Sequence, residues 1–404
     1  MAEPLQPGIA GAGCALLDIL YPDADLSSSA FTRCASRSPG DGGLVPGNLV
    51  FAAALEAYTG MSVADIVRSI RRRPPQGHSA PTPVRNLGGP AVVALILAAQ
   101  LLGPQRIPVS FYGLRGDDEV GQHMAAIVAR TPLEAGSYRS VAGPSPTTEV
   151  LSDPAANDGA GERTFINTVG VAEQMRVTSL PPAFFNRRIA FYGGTALVPR
   201  LHAELGQALA RSRQAGQLTV VATVYDFLNE QRDPKGLWPL GSGRSDYRHI
   251  DLLITDREEA RRLSGHDQPA AAARQFLDWG SAAVLVTDGD RPVTLAAAGV
   301  PWYPLEVSTL PVSSEVRRRA REVPPAERDT TGCGDNFAGG VLADLERQRY
   351  AGAERLDLSE AVVTGICAGA AAWFQLGGTW IEPWPGAAAE RVERFRRAYR
   401  EDIS

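Results

Sequence analysis

Lysine is nearly absent from this chain. Its 404 residues include 40 lysines and arginines, and only Lys235 among them is a lysine. A P-loop requires the lysine of Gly-x-x-x-x-Gly-Lys-(Ser/Thr), and the protein-kinase fold requires a lysine on a strand. Lys235 lies in the sequence Asp-Pro-Lys-Gly, which fits neither pattern. Both ATP-binding schemes are therefore excluded, and any ATP chemistry must rely on backbone donors, Mg²⁺ and arginine.

Cysteine pairs and long apolar runs are also missing. No secretory leader opens the chain, and no Cys-x-x-Cys pair occurs among Cys14, Cys34, Cys333 and Cys367, so we expect a reducing, cytoplasmic location. The longest apolar run, residues 91–102, is too short for the roughly 20 residues that cross a bilayer. The net charge of −5, with both signs interspersed, argues against nucleic-acid binding. We therefore expect neither a membrane nor a nucleic-acid partner.

From residue 88 onward, short apolar runs alternate with helix-like segments. This rhythm predicts a parallel sheet that is covered by helices on both faces. The predicted strands are residues 109–112, 189–192, 218–223, 252–255 and 283–287, and the predicted helices include 91–102, 199–215 and 270–279. Before this region, residues 21–47 are rich in Ser, Pro, Gly and Asp and are predicted as loop, and residues 48–57 lead into a helix over 62–70.

The most informative segment is Asp329-Thr330-Thr331-Gly332-Cys333-Gly334-Asp335. Its small residues let backbone N–H groups turn inward, and the apolar spacing that follows predicts a helix. Backbone donors and the positive end of a helix dipole together favour a phosphate. A carboxylate at position 335 would repel that phosphate unless it has a chemical task. Asp335 is therefore either a helix cap or the group that accepts a proton from an attacking hydroxyl.

This segment resembles the signature of the ribokinase-like, or phosphofructokinase-B, carbohydrate kinases, Asp-Thr-(Thr/Val)-Gly-Ala-Gly-Asp, with Cys333 in place of Ala. Further similarities follow in the family's order at residues 11–18, 113–121, 147–151 and 162–166, with a turn at 157–159. The resemblance covers about residues 8–21 and 86–390. It implies one α/β domain over residues 1–404, a three-layer α/β/α ribokinase-like sheet with a small β lid at 146–169 and an insertion at 22–85.

The resemblance also implies roles for individual residues. Asp335 would be the catalytic base, and the N–H groups of Gly332, Cys333 and Gly334 would stabilise the transferring phosphoryl group. The acceptor would be held by Asp18, at the carboxyl end of the first strand, and by the backbone of Gly88 and Gly89.

A second group of residues would hold the metal and the nucleotide. Asp256 and Glu259 resemble the family's Asn-x-x-Glu motif, which orders Mg²⁺ and its waters, although both could equally serve as acids at a helix start. Thr287 and Gly289 match part of a Thr-x-Gly that lies beside the nucleotide.

Two further positions concern a cation and the acceptor. By the same resemblance, Asp329 and Thr331 are candidates to hold a monovalent cation such as K⁺. Position 93 departs from the family, since Val93 replaces an Asn that contacts the sugar. One polar contact to the acceptor is therefore expected to be missing or to come from another residue.

The expected function is that of an ATP-dependent kinase that transfers the γ-phosphate to a hydroxyl of a small carbohydrate. ATP and Mg²⁺ are the expected cofactors and a sugar or related alcohol the expected partner, and a homodimer is compatible with the resemblance. Two alternatives stay open. A nucleoside kinase of the same fold would need an aromatic or apolar slot for a base. A non-catalytic sugar-binding regulator is the other alternative, and the presence of Asp335 argues against it.

Overall fold

The computed structural model describes residues 4–38, 40–74, 77–159, 161–319, 322–323 and 330–403. The strands are β1 (Gln6–Gly13), β2 (Leu16–Tyr21), β3 (Leu49–Phe51), β4 (Val84–Gly88), β5 (Val109–Gly116), β6 (Glu134–Val141), β7 (Thr147–Asp153), β8 (Glu162–Thr168), β9 (Arg187–Gly193), β10 (Leu218–Ala222), β11 (Leu252–Asp256), β12 (Ala283–Asp288), β13 (Arg291–Ala297) and β14 (Leu305–Leu310). The helices are α1 (Ser29–Cys34), α2 (Ala52–Thr59), α3 (Val63–Ile70), α4 (Pro90–Leu102), α5 (Glu119–Val128), α6 (Ala156–Gly159), α7 (Pro199–Ala203), α8 (Leu205–Gln214), α9 (Phe227–Arg232), α10 (Arg257–Ser264), α11 (Pro269–Asp278), α12 (Ser314–Arg319), α13 (Cys333–Tyr350), α14 (Leu358–Ala372) and α15 (Ala387–Ile403).

Nine strands form the main sheet, in the order β14-β13-β12-β11-β10-β9-β1-β5-β6. The strands from β12 to β6 pair in parallel, and β13 and β14 add an antiparallel edge. All five predicted strands are confirmed, as β5, β9, β10, β11 and β12. They could be predicted because a central strand that helices cover on both faces is buried along its whole length and mostly apolar, as β10 is.

Helices cover the sheet, and the predicted three-layer α/β class is confirmed. The helix α4 is buried on every side, and almost wholly apolar, because it packs between the sheet and α13. Gly339 permits this contact, since a Cβ there would lie 2.5 Å from the carbonyl oxygen of Ala94. The predicted helix over 199–215 is instead two helices, α7 and α8, which meet at Glu204. In the described part of the chain, no helix is both long enough and apolar enough to cross a bilayer.

A second sheet, the lid sheet, has five strands in the order β3-β8-β7-β2-β4. The predicted hairpin is confirmed, because β7 and β8 pair antiparallel from Thr147–Thr168 to Asp153–Glu162. The predicted lid, residues 146–169, is smaller than this sheet, because β2, β3 and β4 also belong to it. The turn predicted at 157–159 joins β7 to β8 and lies in the single helical turn α6.

The predicted insertion, residues 22–85, packs against the lid sheet. Its helices α1 and α3 form a separate apolar core with Leu151 and Ile166 of the lid hairpin. The segment predicted as loop contains α1, which Ser28 caps, and residues 48–57 contain β3 followed by α2. The insertion is therefore structurally part of the lid.

Candidate active site

Several predicted site residues lie at the carboxyl ends of parallel strands or directly before a helix. Asp256 ends β11 and lies directly across from Thr287 on β12. Gly89 directly precedes α4, and Gly332 directly precedes α13. Open α/β sheets bind their ligands at this edge. Asp329 lies outside the described residues.

The loop before α13 has the geometry of an anion site. Gly332 has a φ of 76°, and a Cβ there would overlap the Cα of Gly378. The side-chain amide of Asn336 donates to the carbonyls of Gly332 (2.8 Å) and Gly378 (2.9 Å) and so fixes the loop. The N–H of Cys333 donates to the Thr330 carbonyl at 3.2 Å. The N–H of Cys333, one of the three predicted backbone donors to a phosphate, is thus already bonded within the loop.

The first turn of α13 supplies the remaining donors. Helix geometry leaves the N–H groups of Gly334 and Asp335 without an intrahelical acceptor. Gly334 is exposed, and a Cβ there would meet no atom within 4 Å. A phosphate can therefore approach this turn closely.

Asp335 is a half-buried carboxyl in the same turn. Burial raises its pKa from 3.8 to about 6. A group with this pKa is a stronger base than an ordinary aspartate and is still mostly ionised at pH 7. This environment suits a residue that accepts a proton from a hydroxyl.

Asp18 lies on the lid sheet, in the middle of β2, where it pairs with Asn86 on β4 and Thr148 on β7. The prediction that it ends the first strand of the main sheet is therefore wrong. The chain leaves the main sheet after Gly13, although the apolar run continues into β2. That Asp18 faces the site stays a prediction. Burial raises the pKa of the Cys14 thiol, and the charges of Asp18 and Asp335 raise it further.

Gly88 and Gly89 connect the lid to the main domain. A Cβ on Gly88 would overlap the Asp18 carboxylate. Any larger residue at position 88 would therefore displace that carboxylate. Gly89 has a φ of 101°, and a Cβ there would lie 2.7 Å from the carbonyl oxygen of Cys14. These contacts place the predicted acceptor-binding glycines beside Asp18.

Asp256 and Glu259 form a capping box at the start of α10. Glu259 is 7% exposed, and its carboxylate accepts from the Thr223 hydroxyl at 2.5 Å. Burial, with added repulsion from Asp256 and Asp335, raises the pKa of Glu259 to about 8. This capping role was the alternative to metal binding. The two roles are compatible, because a hard, partly hydrated cation such as Mg²⁺ would displace the proton and stabilise the ionised carboxylates.

The predicted nucleotide residues follow next along the sheet edge. The Thr287 hydroxyl contacts the Thr255 carbonyl at 3.5 Å, and Gly289 turns the chain from β12 into β13. Between them, Asp288 pairs with Arg257 at 3.3 Å. This turn lies beside the Asp256 carboxylate.

Sequence reasoning missed Arg163, which lies on the lid strand β8. Its guanidinium donates to the Thr331 hydroxyl at 3.1 Å. It thereby joins the lid to the loop at residues 330–335, which we call the anion loop. The lid therefore places a positive charge next to the predicted phosphate site, at a position where Thr331 was predicted to hold a monovalent cation. Only the Gly-Glu-Arg sequence of the predicted hairpin could have drawn attention to it.

Val93 does not line an open pocket. It is 1% exposed and belongs to the main core, and its Cγ2 would lie 3.2 Å from a Cβ on Gly378. The polar contact that an asparagine would make from this position is therefore absent.

Comparison with solved protein structures identifies the fold class of this chain. The structure is similar to a ribokinase from Thermotoga maritima, with 15% identity, a TM-score of 0.62, and coverage of 97% of this chain and 100% of that chain. It is also similar to adenosine kinases from Schistosoma mansoni (16% identity, TM-score 0.66, 93% and 98% coverage) and Sinorhizobium meliloti (18% identity, TM-score 0.65, 96% and 99% coverage). These likenesses establish a ribokinase-like fold.

The family model for pfkB family carbohydrate kinases matches residues 57–384. The chain therefore belongs to the pfkB family, whose members are phosphotransferases with alcohol acceptors. No curated protein sequence matches it significantly.

Proposed function

We propose that this protein is an ATP-dependent kinase that phosphorylates a hydroxyl of a small carbohydrate. The observation that carries the proposal is Asp335, a carboxyl with a pKa of about 6 in the first turn of α13, beside the backbone donors of an anion loop. We take Asp18 to hold the acceptor from the lid, because its carboxylate lies against Gly88, shortly before the start of α4. A proton acceptor and a phosphate site are thus adjacent, as phosphoryl transfer to an alcohol requires.

In the proposed reaction, Asp18 and the backbone at Gly88 and Gly89 hold the acceptor. Asp335 takes the proton from its attacking hydroxyl, and the N–H groups of Gly334 and Asp335 stabilise negative charge on the transferring group. Arg163 adds a positive charge from the lid, since its contact with Thr331 brings it to the anion loop. Closure of the lid would exclude water and limit hydrolysis of the nucleotide.

The residues present fit both expected cofactors. ATP supplies the phosphoryl group, and Mg²⁺ supplies charge neutralisation. Asp256 and Glu259 would hold Mg²⁺ through its waters, because burial and repulsion from Asp256 disfavour the ionised form of Glu259, which a cation would stabilise. The turn at Thr287 and Gly289 would lie against the nucleotide, and Arg163 is suited to its phosphates. K⁺ at Asp329 and Thr331 remains a prediction.

A nucleoside acceptor is the second candidate. A cavity of about 260 Å³ lies between the insertion and the segment after β10, and Phe51, Tyr225 and Phe227 line it. Phe51 is on the lid strand β3, next to the strand that carries Arg163. Aromatic walls of this kind suit a planar base.

The experiment that tests the proposal is a screen for acceptor-dependent ADP release. Purified protein would be assayed with MgATP and a panel of pentoses, hexoses and nucleosides. ADP release that depends on one class of acceptor supports the proposal and names the class. Tight binding of a sugar without ADP release would instead identify a non-catalytic binding protein.

A further inference from the structure

Three polar side chains form a row across the lid sheet. Register pairs Asp18 on β2 with Thr148 on β7, and Thr148 with Asn167 on β8. Directly opposite residues of a sheet share one face. The amide of Asn167 confirms this arrangement, because its Nδ2 donates to the Thr148 hydroxyl at 3.0 Å. Asn167 therefore lies on the same face as Asp18.

This face of the lid is the one that looks toward the anion loop. Arg163 lies four residues before Asn167 on β8, so both side chains project from the same face. Arg163 contacts Thr331, directly before Gly332. The face thus carries a cation at its phosphate end and the row of Asp18, Thr148 and Asn167 at its other end.

Asn167 has an acceptor atom without a partner among the described residues. The side chain is 2% exposed, and its Oδ1 is buried and makes no hydrogen bond with them. The orientation of the amide is fixed, because its Nδ2 also lies 3.3 Å from the Thr147 carbonyl, which can only accept. A buried acceptor without a donor is costly. A ligand that brings a donor would remove this cost.

On the basis of the proposed function, we infer that Asn167 is an acceptor-binding residue, whose Oδ1 accepts a hydrogen bond from a hydroxyl of the substrate. It replaces the polar contact that is absent at Val93. Asp18 is also an acceptor, and two strand spacings separate the two residues, about 10 Å between backbones. The substrate must therefore present donor groups on both sides of its ring, as a polyhydroxylated sugar or a ribonucleoside does.

The test measures binding without ATP, so that it does not depend on catalysis. Affinities of D-ribose, D-fructose, D-glucose and adenosine would be measured by calorimetry for the wild type, Asn167→Ala and Thr168→Ala. Thr168 is the matched control, because it neighbours Asn167 but projects from the opposite face. The ligand that binds the wild type should lose about 5- to 150-fold in affinity for Asn167→Ala. The control should stay within about 2-fold, as expected for a substitution away from the contact.

Deoxy analogues of the bound ligand separate a direct contact from a structural effect. One analogue should bind the wild type more weakly, yet bind Asn167→Ala as well as the parent ligand does, since the lost hydroxyl no longer has a partner. Asn167→Ser, whose shorter side chain can still donate to the Thr147 carbonyl, gives the same comparison if Asn167→Ala does not fold.

The outcomes separate this inference from the proposed function. Unchanged ligand affinity in Asn167→Ala, with normal ADP release by the wild type, would overturn the role of Asn167 alone. Affinity that depends on Asn167, without ADP release from any acceptor, would support the binding role and overturn the kinase. If none of the four ligands binds the wild type but the screen shows ADP release with another acceptor, the affinities of Asn167→Ala and Thr168→Ala for that acceptor decide the role of Asn167.

Discussion

The rate of the proposed kinase should depend on pH through Asp335. Burial raises its pKa from 3.8 to about 6, which is about 3 kcal/mol in favour of the protonated form. A base works only when it is deprotonated, so the rate should fall as the pH falls through this value. The value of kcat/KM for the acceptor should be half-maximal near pH 6 and about one-tenth of its maximum at pH 5.

Glu259 should add a second pH dependence of the rate, which is linked to Mg²⁺ binding. Its pKa is raised to about 8, so at neutral pH the proton competes with the metal for this carboxylate. At limiting free Mg²⁺, the rate should therefore keep rising as the pH increases through about 8. Saturating free Mg²⁺ should remove this rise near pH 8, the upper limb of the pH–rate profile. The lower limb, near pH 6, should remain.

The assay is ADP release between pH 5 and 9, with MgATP saturating and free Mg²⁺ at two concentrations. Glu259→Gln is the control, and it should lose the upper limb while keeping the lower one. A rate that is constant from pH 5 to 8 would refute the role of Asp335. An upper limb that persists in Glu259→Gln would refute the role of Glu259.

Two further predictions concern Arg163 and a buried glutamate. Arg163→Ala should weaken ATP binding by about 10- to 150-fold in a fluorescent-nucleotide titration, because it removes a charged contact to phosphate. Arg85→Ala, which removes an exposed arginine of the lid, should not weaken it. Equal losses of affinity in both variants would contradict the role of Arg163 in binding phosphate. Glu346 is fully buried, and its pKa is raised from 4.5 to about 7, chiefly by burial. The folded state thus holds this proton more tightly than the unfolded state does, and the free energy of unfolding should fall as the pH rises from 4.5 to 7. Glu346→Gln should be up to about 3 kcal/mol more stable than the wild type at pH 8 in urea unfolding, whereas a less stable variant would show that the ionised carboxylate is needed.

Local sequence was enough to predict the glycine loop before α13 and the central strands. The loop at residues 330–335 depends on small residues that are adjacent in the chain, and its geometry follows from Gly332 itself. The central strands are buried on both faces, so their apolar runs appear directly in the sequence. The strand β13 and its antiparallel hairpin with β12 were missed, although the Asp-Gly-Asp turn at 288–290 favours such a hairpin.

Contacts across the lid could not be predicted in the same way. The chain leaves the main sheet at Gly13, which has a φ of 143°, but a glycine inside an apolar run does not reveal that Asp18 belongs to a different sheet from β1. The contact of Arg163 with Thr331 joins residues 168 positions apart. The pairing of Thr148 with Asn167 depends on the register of a hairpin whose turn is helical. These features arise from tertiary packing of the lid and insertion.

The most direct test of the central claim compares Asp335→Asn with the wild type at one acceptor. The substitution keeps the shape of the side chain but removes the proton acceptor. We predict that the variant binds ATP as the wild type does, while kcat for ADP release falls by about 10²- to 10⁴-fold. Turnover of Asp335→Asn at the wild-type rate would contradict the account, because the proton would then leave by another route.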